Sequence, residues 1–145
     1  MEIFTIGFTQ KSAPQFFGTL KRAGIKRLLD VRLNNSSQLA GYTKREDLPY
    51  FLDALCGAEY QHDLSLAPTE ELLKAYRKKL IDWNAYEKGF LELMSARRIE
   101  QTVDRGLFNT PTALLCSEPT AEHCHRRLVV EYLRDKWGDV QIVHL

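Results

Sequence analysis

Short runs of aliphatic and β-branched residues alternate along this chain with segments whose apolar residues recur every three or four positions. That alternation limits the possible fold more than any other feature. Ile3-Phe4-Thr5-Ile6-Gly7 reads as a strand ending in glycine. Ser12-Ala13-Pro14 announces a helix, Phe16, Phe17, Leu20 and Ala23 follow at helical spacing, and Gly24 stops it. A second strand lies within Ile25 to Arg32, and a polar loop runs from Leu33 to Tyr42. A helix from near Asp47 to Cys56 carries Leu48, Phe51, Leu52 and Leu55 on one stripe and ends at Gly57. Glu59 to Asp63 is the third strand, the weakest of the set on propensity.

Pro68 and Thr69 open a helical region reaching about Leu80, and a second helix covers Tyr86 to about Met94. A third helical pattern joins Ile99, Val103 and Leu107. Pro111 to Cys116 forms the fourth strand, and a long helix starting at Thr120 or Cys124 reaches Trp137, with Gly138 as its stop. Val140 to Leu145 closes the chain as a fifth strand. Strands alternating with helices predict a three-layer α/β sandwich: a mainly parallel sheet of about five strands, with helices on both faces. At 145 residues, one domain spanning 1–145 is expected.

The net charge of +1 argues against a module that binds nucleic acid through bulk charge. No run approaches the ~18 apolar residues of a membrane span, so no membrane partner is expected. The first residues lack the basic and long apolar regions of a signal peptide. Three cysteines is an odd number that suits free thiols better than a disulfide frame, and the expected compartment is the cytoplasm.

One stretch concentrates the chemistry. Leu114 to Arg127 holds two of the three cysteines, two of the four histidines, two arginines and two glutamates. Open α/β sheets bind ligands beyond the carboxyl ends of their strands. Those ends present Gly7-Phe8-Thr9, Asp30-Val31-Arg32, His62-Asp63 and Cys116-Ser117-Glu118. In the helix after strand four, Leu128, Val129, Tyr132, Leu133 and Trp137 define the inward face, with His125 near its middle, Arg126 at one border and Cys124 past the other. A thiol in a helix's first turn beside arginine has its thiolate favoured, and the free N–H groups there attract anions.

These motifs resemble the bacterial and archaeal proteins grouped as domain of unknown function 488. The resemblance rests on Thr5-Ile6-Gly7, Asp30-Val31-Arg32, the run from Leu114 through Glu118 to Cys124-His125-Arg126, and Val143-His144-Leu145. It implies a compact α/β domain with the matched motifs around one pocket, and it brings no reaction. Where the family has His-Ser after the first glycine this chain has Phe8-Thr9, and Leu33-Asn34 replaces its proline and second arginine, which points to a different or more weakly held ligand.

The leading expectation is an enzyme acting on a small anionic ligand, nucleotides among the candidates, through thiol-based nucleophilic chemistry. Cys124, ahead of Cys116, is the expected nucleophile, with His125 or Glu118 moving protons. Arg32 and Arg126 are the expected anion ligands, with Thr9, Asp30 and His62 alongside. The alternative is a non-catalytic metabolite-sensing or nucleic-acid-associated regulatory domain, the latter using Lys21, Arg22, Lys26, Arg27, Arg77, Lys78 and Lys79. No cofactor is implied. Zinc is the less favoured option, because the seven-residue gap between Cys116 and Cys124 matches no standard finger spacing.

Overall fold

The computed structural model describes residues 1–35, 41–118 and 121–145. Among the described residues there are five strands: β1 (Glu2–Gly7), β2 (Arg27–Asp30), β3 (Glu59–His62), β4 (Thr112–Cys116) and β5 (Gln141–His144). They form one sheet in the order β3-β2-β4-β1-β5, and every neighbouring pair is parallel. Six α-helices surround it: α1 (Ala13–Arg22), α2 (Leu48–Cys56), α3 (Glu70–Arg77), α4 (Trp83–Arg97), α5 (Ile99–Thr102) and α6 (His125–Trp137). The expected three-layer sandwich is what the chain builds.

Alternation within the strands divides the core in two. Leu28, Ala113, Leu115 and Ile6 face one way and pack with Phe16, Phe17 and Leu20 of α1 and Leu48 and Leu52 of α2. Ile3, Leu29, Leu114 and Cys116 face the other way, against Phe90 and Met94 of α4 and Leu128, Val129 and Leu133 of α6. Successive strand residues point to opposite faces, so the continuous apolar run Ala113-Leu114-Leu115 supplies both layers at once.

The helix starts are built as their sequences suggest. Ser12 and Gln15 form a reciprocal capping box for α1, with Pro14 in its first turn. Thr69 accepts from the Leu72 N–H ahead of α3, and the left-handed Gly57 (φ 60°) ends α2. Two expectations are corrected. The helix expected over Tyr86 to Met94 spans Trp83–Arg97, because Asp82 accepts from the Ala85 N–H and moves the start one turn earlier. The pattern at Ile99, Val103 and Leu107 is not one helix. Asp104 takes the Gly106 N–H and turns the chain into a 3-10 segment, Arg105–Asn109, after the four-residue α5. The loop expected from Leu33 to Tyr42 is described only at its ends, and Thr120, one of the two expected starts of the last helix, lies outside the described residues.

Connectivity decides where a ligand can sit. From β1 and from β2 the chain leaves towards the α1/α2 face, whereas from β4, between them, it leaves towards the α6 face. Helices departing to opposite faces open a crevice at the carboxyl end of β4, the switch-point position where such sheets bind ligands. Cys116 is the last residue of that strand.

Candidate functional site

A cavity of about 550 Å³ opens at that switch point. Its floor is made by Cys116, Cys124 and His125, and its walls by Phe8, Thr9, Arg32, Tyr76, Arg77, Trp83 and Tyr86, with Ser117, Glu118 and His123 also on the lining. The chain ends of β1, β2 and β4, the start of α6 and the α3–α4 region all contribute.

Cys124 is the N-cap residue of α6 (φ −137°, ψ 138°), one position outside the first turn where it was expected. Its side chain makes no capping bond and turns instead towards Cys116. The next residue, His125, is fixed at both ring nitrogens. Its Nε2–H donates to the Val31 carbonyl at 2.7 Å, which leaves Nδ1 facing the Cys116 sulfur at 3.4 Å. The sulfurs of Cys116 and Cys124 and the nearer ring nitrogen all lie within 4.8 Å of one another.

The electrostatics of this trio assign a role to each member. Burial alone pushes the Cys116 thiol up. Opposing it are the hydrogen bond from Cys124, the charge and hydrogen bond of the His125 imidazolium, and the Arg126 guanidinium; together they hold Cys116 well below the ordinary thiol range. Burial also pushes Cys124 up, and there the negative neighbour Cys116 adds to the effect, so Cys124 keeps its proton. Burial opposes charge on His125, but the Cys116 thiolate and the Val31 carbonyl raise it above the usual imidazole value. These directions together favour a Cys116 thiolate facing a His125 imidazolium, with the Cys124 S–H turned to the thiolate.

The pair sets a pH window. His125, raised on folding, contributes stability that is complete below its unfolded value and lost as pH rises through its folded one. Cys116, depressed on folding, contributes stability that is complete above its unfolded value and lost as pH falls through its folded one. The ion pair therefore exists between the lowered thiol value and the raised imidazole value. Removing the Cys124 donor narrows this window from below. Cys124→Ala should move the acid inflection of the thiolate ultraviolet absorbance upward, while Cys124→Ser, which keeps a donor, should leave it much closer to wild type. Equal inflections in wild type and Cys124→Ala would show that Cys124 does not support the thiolate.

Arg126 braces the site from behind. It is 1 % exposed and is not on the cavity lining. Its Nη1–H donates to the Glu118 carbonyl at 2.6 Å and its Nε–H to the Thr5 hydroxyl at 3.3 Å. Gly7 makes room for this arrangement. A Cβ built there would fall 1.6 Å from the Glu118 oxygen and 2.6 Å from Arg126 Nη1. The loop after β4 thus crosses directly over the end of β1, and the Thr9 N–H holds it by donating to the Ser117 carbonyl at 2.9 Å.

The remaining sequence-derived residues divide into wall and scaffold. Arg32 lines the cavity, but its guanidinium donates to both oxygens of Asp30 at 2.9 and 2.8 Å and to the Thr43 carbonyl at 2.7 Å. Asp30 is fully buried, with the Tyr60 hydroxyl donating to it at 2.6 Å. A buried pair satisfied in this way fixes position more than it adds stability. His62 is engaged as well: its ring reaches the Arg32 carbonyl at 2.7 Å and Asn35 at 3.2 Å. Asp30 and His62 are therefore braces beneath the wall, off the cavity lining. Glu118 and Thr9 are on the lining, where both were expected to help.

Sequence reasoning missed the opposite wall. Trp83 stacks on His123 (centroids 4.9 Å apart, planes 22° apart), and Tyr76 meets the Trp83 ring edge-on. Arg77 beside them is exposed and has no hydrogen-bond or ion-pair partner among the described residues. Aromatic residues at helical spacing normally signal core, so composition gave no reason to separate these from buried neighbours.

Among the described residues, Cys116, Cys124 and His125 are also the one grouping that could hold a metal ion, with soft donors suited to zinc. His62 and His123 do not join them.

A family model described as Domain of unknown function DUF488 matches residues 12–133 of the 145. The chain belongs to the DUF488 family. The matched span contains Asp30-Val31-Arg32 and the whole run from Leu114 to Arg126, so the DUF488 core includes the thiol floor, while Thr5-Ile6-Gly7 and Val143-His144-Leu145 fall outside it. No curated protein and no solved structure matches this DUF488 chain.

Proposed function

We propose that this DUF488 protein is a thiol-dependent enzyme acting on a small anionic, nucleotide-like ligand, with Cys116 rather than Cys124 as nucleophile. The observation that carries this reading is the Cys116 sulfur 3.4 Å from His125 Nδ1 on the floor of an open cavity. A nucleophilic thiol needs a partner that keeps it ionised and a substrate-facing position, and Cys116 has both. Cys124 has the opposite bias and serves as donor to it. The Cys116 sulfur attacks an electrophilic centre of the ligand, and the leaving group takes the proton from His125 as its bond breaks. Neutral His125 then removes a proton from the water that displaces the sulfur, which restores the pair.

Ligand class is inferred from the wall. Trp83, itself stacked on His123 and Tyr86, and Tyr76 give this wall an aromatic surface suited to a flat ring, and Arg77 supplies a cation that no internal carboxylate neutralises. Arg32 and Arg126, the arginines expected to clamp an anion, are already committed to Asp30 and to the Glu118 carbonyl.

Thermal stabilisation by a panel of nucleoside monophosphates, with inorganic phosphate and free nucleosides as controls, tests the ligand class. Nucleotides should raise the midpoint more than either control, and Trp83→Ala and Arg77→Ala should each weaken binding about tenfold, or ~1.4 kcal/mol. Stabilisation by phosphate equal to that by nucleotides, or none by any of them, would count against the ligand class. Turnover of the stabilising ligands then separates an enzyme from a sensing domain.

A further inference from the structure

We infer that Cys116 and Cys124 form a reversible disulfide across the floor of the cavity, Cys116 reacting first with a peroxide and Cys124 resolving it. This pairing shares Cys116 with the reading above but needs no nucleotide-like ligand.

The argument starts from placement. Cys116 ends β4 and Cys124 caps α6, so a single loop brings the two thiols to the same point, with their sulfurs within 4.8 Å. Both are free, and both lie on the cavity lining. The third cysteine, Cys56, sits in the core layer on the other face of the sheet, its thiol donating to the Phe17 carbonyl at 3.5 Å. Cys116 is only 3 % exposed, but hydrogen peroxide is little larger than water and the cavity leads to the sulfur. A thiolate held beside a protonated second thiol is the arrangement of a peroxide-sensitive pair. The asymmetry between the two sulfurs also sets the order of events.

The Cys116 thiolate attacks one oxygen of hydrogen peroxide and forms an S–O bond while the O–O bond breaks. The departing hydroxide takes a proton from the His125 imidazolium and leaves as water. Cys116 is then a sulfenic acid. The Cys124 sulfur attacks the Cys116 sulfur, forming the S–S bond and breaking the S–O bond, and the released hydroxide leaves as a second water with the Cys124 proton. The two cysteines have lost two electrons and the peroxide has gained them. The sulfurs, within 4.8 Å in the reduced protein, need to close to about 2 Å for the bond to form. A small-molecule thiol reverses the change by exchange and is itself oxidised to a disulfide. Because the reaction consumes the nucleophile, the thiol chemistry of the cavity is off while the bond persists.

The test treats the reduced full chain, Cys56→Ser and Cys124→Ser with hydrogen peroxide, followed by thiol counting and peptide mapping by mass spectrometry. Wild type and Cys56→Ser should each lose two thiols, yield a peptide linking Cys116 to Cys124, and recover fully in excess glutathione. In Cys124→Ser, Cys116 should proceed to sulfinic acid at least about tenfold faster than in wild type, and glutathione should not restore it. A linkage that includes Cys56, a Cys116 that resists peroxide, or sulfinic acid formed equally fast with and without Cys124 would each overturn the pairing. The wild-type and Cys56→Ser mapping stands alone if Cys124→Ser does not fold. Absence of the linked peptide would leave the thiolate and its ligand untouched, and absence of nucleotide binding would leave the disulfide untouched.

Discussion

Gly7→Ala is expected to destabilise the protein by about 3 kcal/mol or more, a midpoint loss on the order of 10 °C for a chain of this size. The reason is local and steric. The added methyl carbon would stand 1.6 Å from the Glu118 carbonyl oxygen and 2.6 Å from Arg126 Nη1, far inside contact distance. Neither neighbour can step aside cheaply. The oxygen belongs to backbone that is anchored through the adjacent Ser117 carbonyl to the Thr9 N–H, and the guanidinium is buried with its hydrogen bonds already made. Displacing the loop strands a buried charge, the most expensive kind of unsatisfied group. Chemical unfolding of the variant measures the effect, and a loss below about 0.5 kcal/mol would mean the loop and strand do not touch as described. Any folded Gly7→Ala population should also show a weakened Cys116 thiolate, since the displaced loop follows directly on Cys116 and anchors Arg126 beside it.

Cys116→Ser is the second large effect. Ultraviolet absorbance at neutral pH should report one thiolate per chain in wild type, where an ordinary thiol near pKa 8.5 is only about 3 % ionised. That signal should vanish in Cys116→Ser and persist in Cys56→Ser, whose thiol burial pushes up. On acidification it should fall only when pH passes through the lowered Cys116 value, as the His125 pairing requires. For any substrate the protein turns over, the same substitution should cut the rate by about a thousandfold or more, the usual loss when a nucleophile is removed. A thiolate signal that survives Cys116→Ser and disappears in Cys124→Ser would reverse the two roles.

The sheet was legible because its cues are local. Each strand is an apolar run whose residues alternate between layers, and Ser12, Thr69, Gly57 and Gly138 punctuate the helices where their backbone chemistry demands it. The switch-point rule then placed Cys116, Glu118 and His125 together without any contact being known. What sequence could not order was the pair of thiols. Spacing along α6 suggested that Cys124 lay in the first turn, where a helix dipole would ionise it, but a one-residue shift to the N-cap aims it at Cys116 instead. The arginines show the same limit: their clustering was visible, whereas their commitment to Asp30 and the Glu118 carbonyl depends on which partner is nearest in space. Trp83 fell between two expected helices and Arg77 was singled out only within a basic run with Lys78 and Lys79, so only packing could place them on the wall.

Arg126 also touches the Thr5 hydroxyl, and that hydroxyl in turn meets His144 Nδ1 on β5. Burial and then the nearby Arg126 guanidinium lower the His144 pKa, which favours a neutral ring able to accept the Thr5 hydroxyl proton. One edge strand of the sheet is thereby joined to the loop that follows Cys116 through three side chains, His144, Thr5 and Arg126. His144 thus belongs to the support of the cavity although it lies off its lining, and a mutation screen that scored only the cavity walls would overlook it.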